Sequence, residues 1–354
     1  MNKSNTLDFT GQTIFIGLDV HKTSWKATFS TAHTVQNTVL FSKPFVNNLS
    51  NYVNRLFPKA TYLCAYEAGF SGFWAQEQLE SKGIKTLVVH AADIPTTHKE
   101  REFKNDKRDS RKISLTLRSG ELQSIYIPSK VHQKLRSMVR QRYSIAKCER
   151  RVKCQIRSHL NFYGIETPSG IEDRYWSNKY ISWLCQLSEQ EQDQTLELLI
   201  DRLKLLRKLE LKALKQLRAL SKSGPYKWLM EILLSVPGIG LKTACLLLSE
   251  IMDMNRFKRF DELVSYVGLI PRTNSSGEKE KIGKMTKRGN SRIKAALIES
   301  SWIAIRRDPY LLMKYEQLRK RMKGQKAIAK IAVILLRKIR TVWLKQEKYQ
   351  IEKM

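Results

Sequence analysis

Four carboxylates stand in an order that could hold metal ions. Asp19 lies near the end of IFIGLDVHK, Glu67 near the end of TYLCAYEAG, and Asp106 and Asp109 fall three apart within FKNDKRDSRKISLTLRSGEL. On a helix that spacing puts the last two on one face, with Cβ atoms about 5–6 Å apart. Clustered carboxylates repel and raise one another's pKa, so such a group inside a basic chain makes sense chiefly when hard cations fill it. Two Mg²⁺ ions about 3.5–4 Å apart can stabilise both the attacking and the leaving oxygen of a phosphodiester. Each acid also has a plainer reading. Asp19 could close a turn, and Asp106 and Asp109 could pair with Lys107, Arg108, Arg111 and Lys112 along a solvated helix.

Two further stretches offer groups for phosphate. Val236 to Gly240 reads as a tight turn between two apolar helices, with Lys242 and Thr243 opening the second. This is the pattern of a helix-hairpin-helix, in which Gly238 and Gly240 let the backbone approach a phosphate at a helix N-terminus. The plainer reading is an αα-hairpin without ligand. Farther on, Ser275, Ser276 and Gly277 read as a loop followed by Lys279, Lys281, Lys284, Lys287 and Arg288, with only Glu278 and Glu280 opposing that charge. A Ser-Gly pair is ordinarily a turn. A serine hydroxyl becomes a nucleophile only with a base, a metal or a positioned phosphate.

The elements that must position these groups divide by pattern. Ile14, Ile16 and Leu18 alternate with Phe15, Gly17 and Asp19, the period of a strand with one buried face. TSWKATFST and TVQNTVLFSKPF extend it to a three-stranded meander. NLSNYVNRLFPKA is a helix stopped at Pro58, TYLCAYEAG a buried strand, GFWAQEQLESKGI a helix ending at Gly83, and KTLVVHAADI the next strand. Strand, helix, strand implies parallel pairing. The chain is thus expected to be α/β followed by all-α, with an α/β domain over 12–128, a helical middle over 129–224 and a helical C-terminal domain over 225–345. In the middle, a long basic helix precedes a polar, Trp-containing linker and a second helix from about Glu189 to Lys222. Leu196, Leu199, Leu203, Leu206, Glu210, Ala213, Leu217 and Leu220 follow the three-four spacing of a coiled-coil seam. An antiparallel hairpin, closed within the chain or against a second copy, is expected.

Composition narrows the partners. Lys and Arg outnumber Asp and Glu by 64 to 33, a formal charge of +31. That surplus suits a polyanion, and nucleic acid is the first choice because releasing counterions from phosphates drives binding. No apolar run approaches the roughly 20 residues of a spanning helix, and the N-terminus lacks the apolar core of a signal peptide. No membrane partner is expected, and the location should be the cytoplasm, nucleoid-associated when bound to DNA. The five cysteines form no CxxC pair, which argues against a zinc site or a disulfide framework.

The series GLDVHK, YEAG, KNDKRDS, LRSGEL and YIPS resembles the N-terminal domain of the DEDD transposases of the insertion sequence 110 family. GLIPRTNSSG followed by GKMTKRGNSRIKAAL resembles that family's C-terminal domain. The two blocks cover roughly residues 14–129 and 230–305, with the middle matched by pattern only. Asn105 and Ser110 stand where the family more often shows Thr and Ala, and the acids are unaffected. The resemblance implies a ribonuclease H-like (RuvC-like) N-terminal fold, Asp19, Glu67, Asp106 and Asp109 as a Mg²⁺-binding tetrad, and Ser276 as the nucleophile, with Ser275 the nearby ambiguity. It further implies a DNA transposase or recombinase acting on donor and target DNA, and a structured guide (bridge) RNA. Because the helical middle separates the tetrad from the serine, the active site is expected to join two domains, of one subunit or of two, and the leucine seam points to a homo-oligomer, a dimer or tetramer. Two other readings remain: a Mg²⁺-dependent junction endonuclease using water, and a non-catalytic nucleic-acid-binding protein.

Overall fold

A computed structural model describes residues 8–95, 106–276, 279–286 and 288–351, in two compact units divided after Ile127. The first is built on a sheet of order β3-β2-β1-β4-β5. β1 (Thr13–Val20), β2 (Trp25–Ser30) and β3 (Val35–Phe41) form the expected antiparallel meander, and β4 (Thr61–Glu67) and β5 (Ile84–Val89) add in parallel. Period-two alternation gives this sheet two different faces. Ile14, Ile16 and Leu18 are fully buried against α1 (Phe45–Leu56) and α2 (Trp74–Glu80). On the other face lies α3 (Asp106–Arg118), whose Ile113 and Leu117 join Ala65 and Val89 in a smaller core. This mixed sheet with helices on both faces fits a ribonuclease H-like domain.

One contact sets how closely α3 can lie. A Cβ on Gly17 would overlap the carbonyl oxygen of Ser110 and sit 2.8 Å from the Ser114 Cα. Only glycine lets the helix backbone rest directly on the strand. Ser110 and Ser114 are themselves buried and spend their hydroxyls on the sheet, Ser110 with Thr28 and Ser114 with Ser30 and the Phe15 carbonyl.

Among the described residues the second unit is helical apart from one hairpin. α4 (Lys130–Phe162) and α6 (Gln194–Lys222) pair antiparallel. Their order is visible in the contacts: Val152, Ile156 and Leu160 share a core with Leu196, Ile200 and Leu203, while Arg142 pairs with Glu210 farther along α6. The expected single helix from Glu189 to Lys222 is interrupted. Gln192 takes a positive φ of 49°, and Asp193 caps the new helix by accepting from the Leu196 amide at 2.9 Å. Within what reads as linker stands α5 (Asn178–Gln190), because Trp176, Tyr180 and Leu184 bury against both long helices. Polar neighbours dilute its apolar stripe, and only the packing reveals it.

The remaining elements are α7 (Lys227–Ser235), α8 (Leu241–Ile251), α9 (Phe260–Val267), the hairpin of β6 (Pro271–Ser276) and β7 (Lys279–Met285), α10 (Ser291–Ala304), α11 (Pro309–Arg319) and α12 (Gly324–Lys345). Ile331, Leu335 and Ile339 of α12 are fully buried at the centre, and Leu135, Val139 and Leu217 of the long helices join the same core. All five cysteines are free. No helix among the described residues is long and apolar enough to cross a membrane.

The first half of the leucine seam is filled from inside the chain, where Leu196 and Leu203 are completely buried, while Leu220 at its end is 39% exposed. Leu203→Lys is therefore expected to unfold the helical pair, the loss of one buried Leu costing about 1.5–3 kcal/mol before any charge is buried. Leu205→Lys, at a position 56% exposed, should be tolerated. Urea unfolding followed by circular dichroism distinguishes them; equal midpoints would show that the seam closes elsewhere.

Candidate functional site

The start of α3 lies toward the C-terminal end of β1, because the helix runs antiparallel to that strand. Ser114 Oγ donates to the Phe15 carbonyl at 3.1 Å, and Ser110 Oγ lies 2.9 Å from Thr28 Oγ1, Thr28 being the register partner of Gly17. Each turn toward the start of α3 is thus a step toward the C-terminal end of β1. One turn beyond Ser110 comes Asp106, the first residue of the helix. On the neighbouring strand Gly17 aligns with Ala65 and Leu18 with Tyr66, so Asp19 and Glu67 end adjacent parallel strands. Both lie on the face that α3 covers, two residues on from Gly17 and Ala65.

Asp19 is partly shielded, its side chain 19% exposed, and its Oδ2 lies 3.0 Å from His21 Nε2. Sequence reasoning missed this histidine as a partner. The signal was its place two residues beyond the acid in GLDVHK. Glu67 and Asp109 are exposed. The side chain of Asp106 lies outside the described residues. Among the described residues no three potential ligands are grouped closely enough to hold a metal.

Ser275 and Ser276 stand on a strand, where a loop was expected. The register pairs Ser276 with Lys279 and Asn274 with Lys281, while Ser275 pairs with Glu280. Residues opposite one another share a face and successive residues alternate. Ser276 is thereby grouped with two lysine positions, and Ser275 with a glutamate position. Lys284 lies on β7, and Arg288 is exposed just beyond it. Gly277, Glu278 and Lys287 lie outside the described residues.

The base of this hairpin is closed by two glycines. A Cβ on Gly268 would lie 2.5 Å from the Arg288 carbonyl oxygen, and one on Gly289 would lie 2.7 Å from the Gly268 Cα. The arms are tied by Thr286 N–H donating to the Ile270 carbonyl at 2.9 Å and Asn290 N–H to the Tyr266 carbonyl at 2.8 Å. Asn290 also caps α10 and donates its side-chain amide to Glu250 Oε2 at 3.1 Å.

Glu250 was not singled out from sequence, where it reads as the one acid ending an apolar helix. It is 1% exposed and receives a bidentate pair from Arg140, at 2.8 and 2.9 Å, with Arg136 at 3.5 Å. Burial pushes its carboxyl up, but the Arg140 hydrogen bonds and the charges of Arg140, Arg136 and Arg292 outweigh that and hold it below the usual carboxylate range. One buried charge thus joins α4, α8 and the hairpin base.

In the turn before α8, Gly238 has a packing role: its φ is 82°, and a Cβ would overlap the Ser300 carbonyl oxygen. Gly240 has open space around it, and Lys242 is half-exposed, 3.5 Å from Glu210. Thr243 is partly buried in the first turn of α8.

Residues 16–165 match a family model described as "Transposase", that of the DEDD type of IS110, and residues 230–316 match one described as "Transposase IS116/IS110/IS902 family". The Sinorhizobium fredii protein y4qE is 29% identical over 244 residues, 68% of this chain and 58% of that protein. The transposase for insertion sequence element IS1533 of Leptospira borgpetersenii is 24% identical over 257 residues, 68% of this chain and 70% of that protein. The matched stretch therefore spans less than two thirds of the first relative and slightly more of the second.

Glu250→Gln should lower stability at neutral pH by about 1.5–3 kcal/mol, since it takes the charge from the hydrogen bonds that Arg140 and the largely buried Arg136 make to it. A carboxyl held below its unfolded value of 4.5 contributes stability that is complete above that pH and is lost as the pH falls through the folded value. The gap between variant and wild type should therefore narrow below pH 4.5. Urea titrations at pH 7 and at pH 3.5 measure it; a gap that stays constant would show that the charge contributes nothing.

Proposed function

The chain belongs to the DEDD transposases of the IS110 family, and on that premise we propose that it cuts and rejoins the DNA strands of an insertion sequence. The observation that supports this reading is the antiparallel seating of α3 on β1, which directs the start of α3 toward the strand ends that carry Asp19 and Glu67. Asp19, Glu67, Asp106 and Asp109 offer carboxylate oxygen alone, the donor set that hard ions such as Mg²⁺ take. They would hold the metal, which when bound stabilises charge on the oxygens exchanging at phosphorus.

The chain's own residues account for the rest. Ser276 attacks a phosphodiester through Oγ. A phosphoserine bond forms, the bond to the departing sugar oxygen breaks, and that oxygen takes up a proton. Reversal by a second strand's hydroxyl rejoins DNA and frees the serine. Lys279 and Lys281, grouped with Ser276 by register, offset phosphate charge. His21 holds the Asp19 carboxylate in place from one side. Gly240, Lys242 and Thr243 would meet a phosphate at the start of α8, as a helix-hairpin-helix does. A structured guide RNA and a homo-oligomer belong to the same proposal, and the charge of +31 supports an RNA partner beside DNA.

The test uses a supercoiled plasmid carrying the encoding element, with trapped protein–DNA adducts digested and mapped by mass spectrometry. Asp19→Asn and Asp106→Asn should abolish cleavage and keep the fold. Ser276→Ala should abolish the adduct and keep DNA binding, whereas Ser275→Ala should be mild. Cleavage without Mg²⁺ would overturn the carboxylate assignment. Cleavage without an adduct would point to water as the nucleophile, and an adduct mapped to another residue would displace Ser276.

A further inference from the structure

Beside the carboxylate edge, on the opposite face of the sheet, lies an open cleft of about 480 Å³. It begins at Val20, the residue after Asp19, and its walls come from the start of α1 and from α2. Its size falls within the range of small-ligand sites, about 300–1,000 Å³. Its lining combines two chemistries. Phe70 and Trp74 present aromatic surface at 72% and 43% exposure, far more than core aromatics show, and Phe45 closes the floor. Lys22 and Lys43 supply positive charge, and exposed Gln78 supplies an amide able to donate and accept.

The aromatic wall is built rather than incidental. Trp74 leans on the fully buried Trp25 with ring centroids 5.5 Å apart, and Trp25 stacks on Phe45 at 5.0 Å with an interplanar angle of 9°. A base entering the cleft would extend this series of rings. Flat aromatic faces flanked by lysines are what single-stranded nucleic acid requires: every base has a face to stack, and every linkage a charge to neutralise.

We propose that this cleft takes an unstacked nucleotide of the DNA strand being cut. The base lies against Phe70 and Trp74, its phosphates meet Lys22 and Lys43, and Gln78 hydrogen-bonds the base edge. Because Val20 follows Asp19 by one Cα–Cα step of about 3.8 Å, a strand anchored here passes over the sheet edge to the carboxylates. The cleft thus holds the scissile phosphate's neighbour. The proposal rests on the cutting role of the carboxylates for its purpose, but not for its detection.

The experiment uses the full chain in EDTA, which prevents cleavage, with a single-stranded DNA bearing 5-iododeoxyuridine and an RNA of matching sequence bearing 5-iodouridine. Irradiation should crosslink the DNA to Phe70 or Trp74, as mapped by mass spectrometry. Phe70→Ala, whose side chain is mostly in solvent, should keep the fold, lose most of the crosslink and weaken binding to the DNA strand about 5-fold or more. Lys43→Gln should weaken it as well and reduce its salt dependence. A crosslink mapped elsewhere, or unchanged binding by both variants, would overturn the site. Preferential crosslinking of the RNA at Phe70 or Trp74 would overturn its assignment to DNA. Asp19→Asn should abolish cleavage and preserve the crosslink, so that failure of the metal assignment and failure of the cleft are read separately.

Discussion

The N-terminal site depends on the backbone of a helix touching the backbone of a strand. At Gly17 there is no room for even a methyl group, since the Ser110 carbonyl and the Ser114 backbone fill the space a Cβ would need. Such an approach buries peptide groups, and the hydroxyls of Ser110, Ser114, Thr28 and Ser30 satisfy one another and the Phe15 carbonyl across the contact. A larger residue in the strand would lift α3 away and carry Asp106 and Asp109 with it. The geometry of the carboxylate edge is therefore set by a residue with no chemistry of its own.

The second unit solves a similar problem with charge. A two-stranded hairpin buries little and is at best marginally stable by itself. Here its base is fixed from both sides, by the contact of Gly268 with Gly289 and by Asn290, which reaches the buried Glu250. Glu250 is held in turn by Arg140 and Arg136 from a helix over 100 residues earlier in the chain. A carboxylate this buried keeps its charge only because the arginines compensate for lost water. The arrangement ties α4 to the base of the hairpin that carries Ser276.

Acid and base are sorted by place. A chain of charge +31 repels hard cations in general and attracts phosphate in general. Asp19 nevertheless stands near the end of β1, with Lys22 and Lys26 close by in sequence. On the other side of the same edge, aromatic rings and lysines form a surface suited to a base and its phosphates.

Local pattern determined much of this by itself. Alternation in β1, the meander, the parallel strands and the two long helices were all legible, because period and turn chemistry are local properties. The four acids were legible as candidates by order and spacing, and the family by the residues around them. Tertiary structure decided what depends on partners distant in sequence. The polar stretch before Glu189 holds a helix because Tyr180 and Leu184 find a core made by segments on both sides. Gly238 serves packing against α10, which the turn motif could not announce. Ser275 and Ser276, alike as neighbours in a presumed loop, fall on opposite faces once a strand register is imposed. Glu250 and the aromatic cleft left no local signal at all, since an acid in an apolar helix and two scattered aromatics acquire meaning only when the fold supplies what surrounds them.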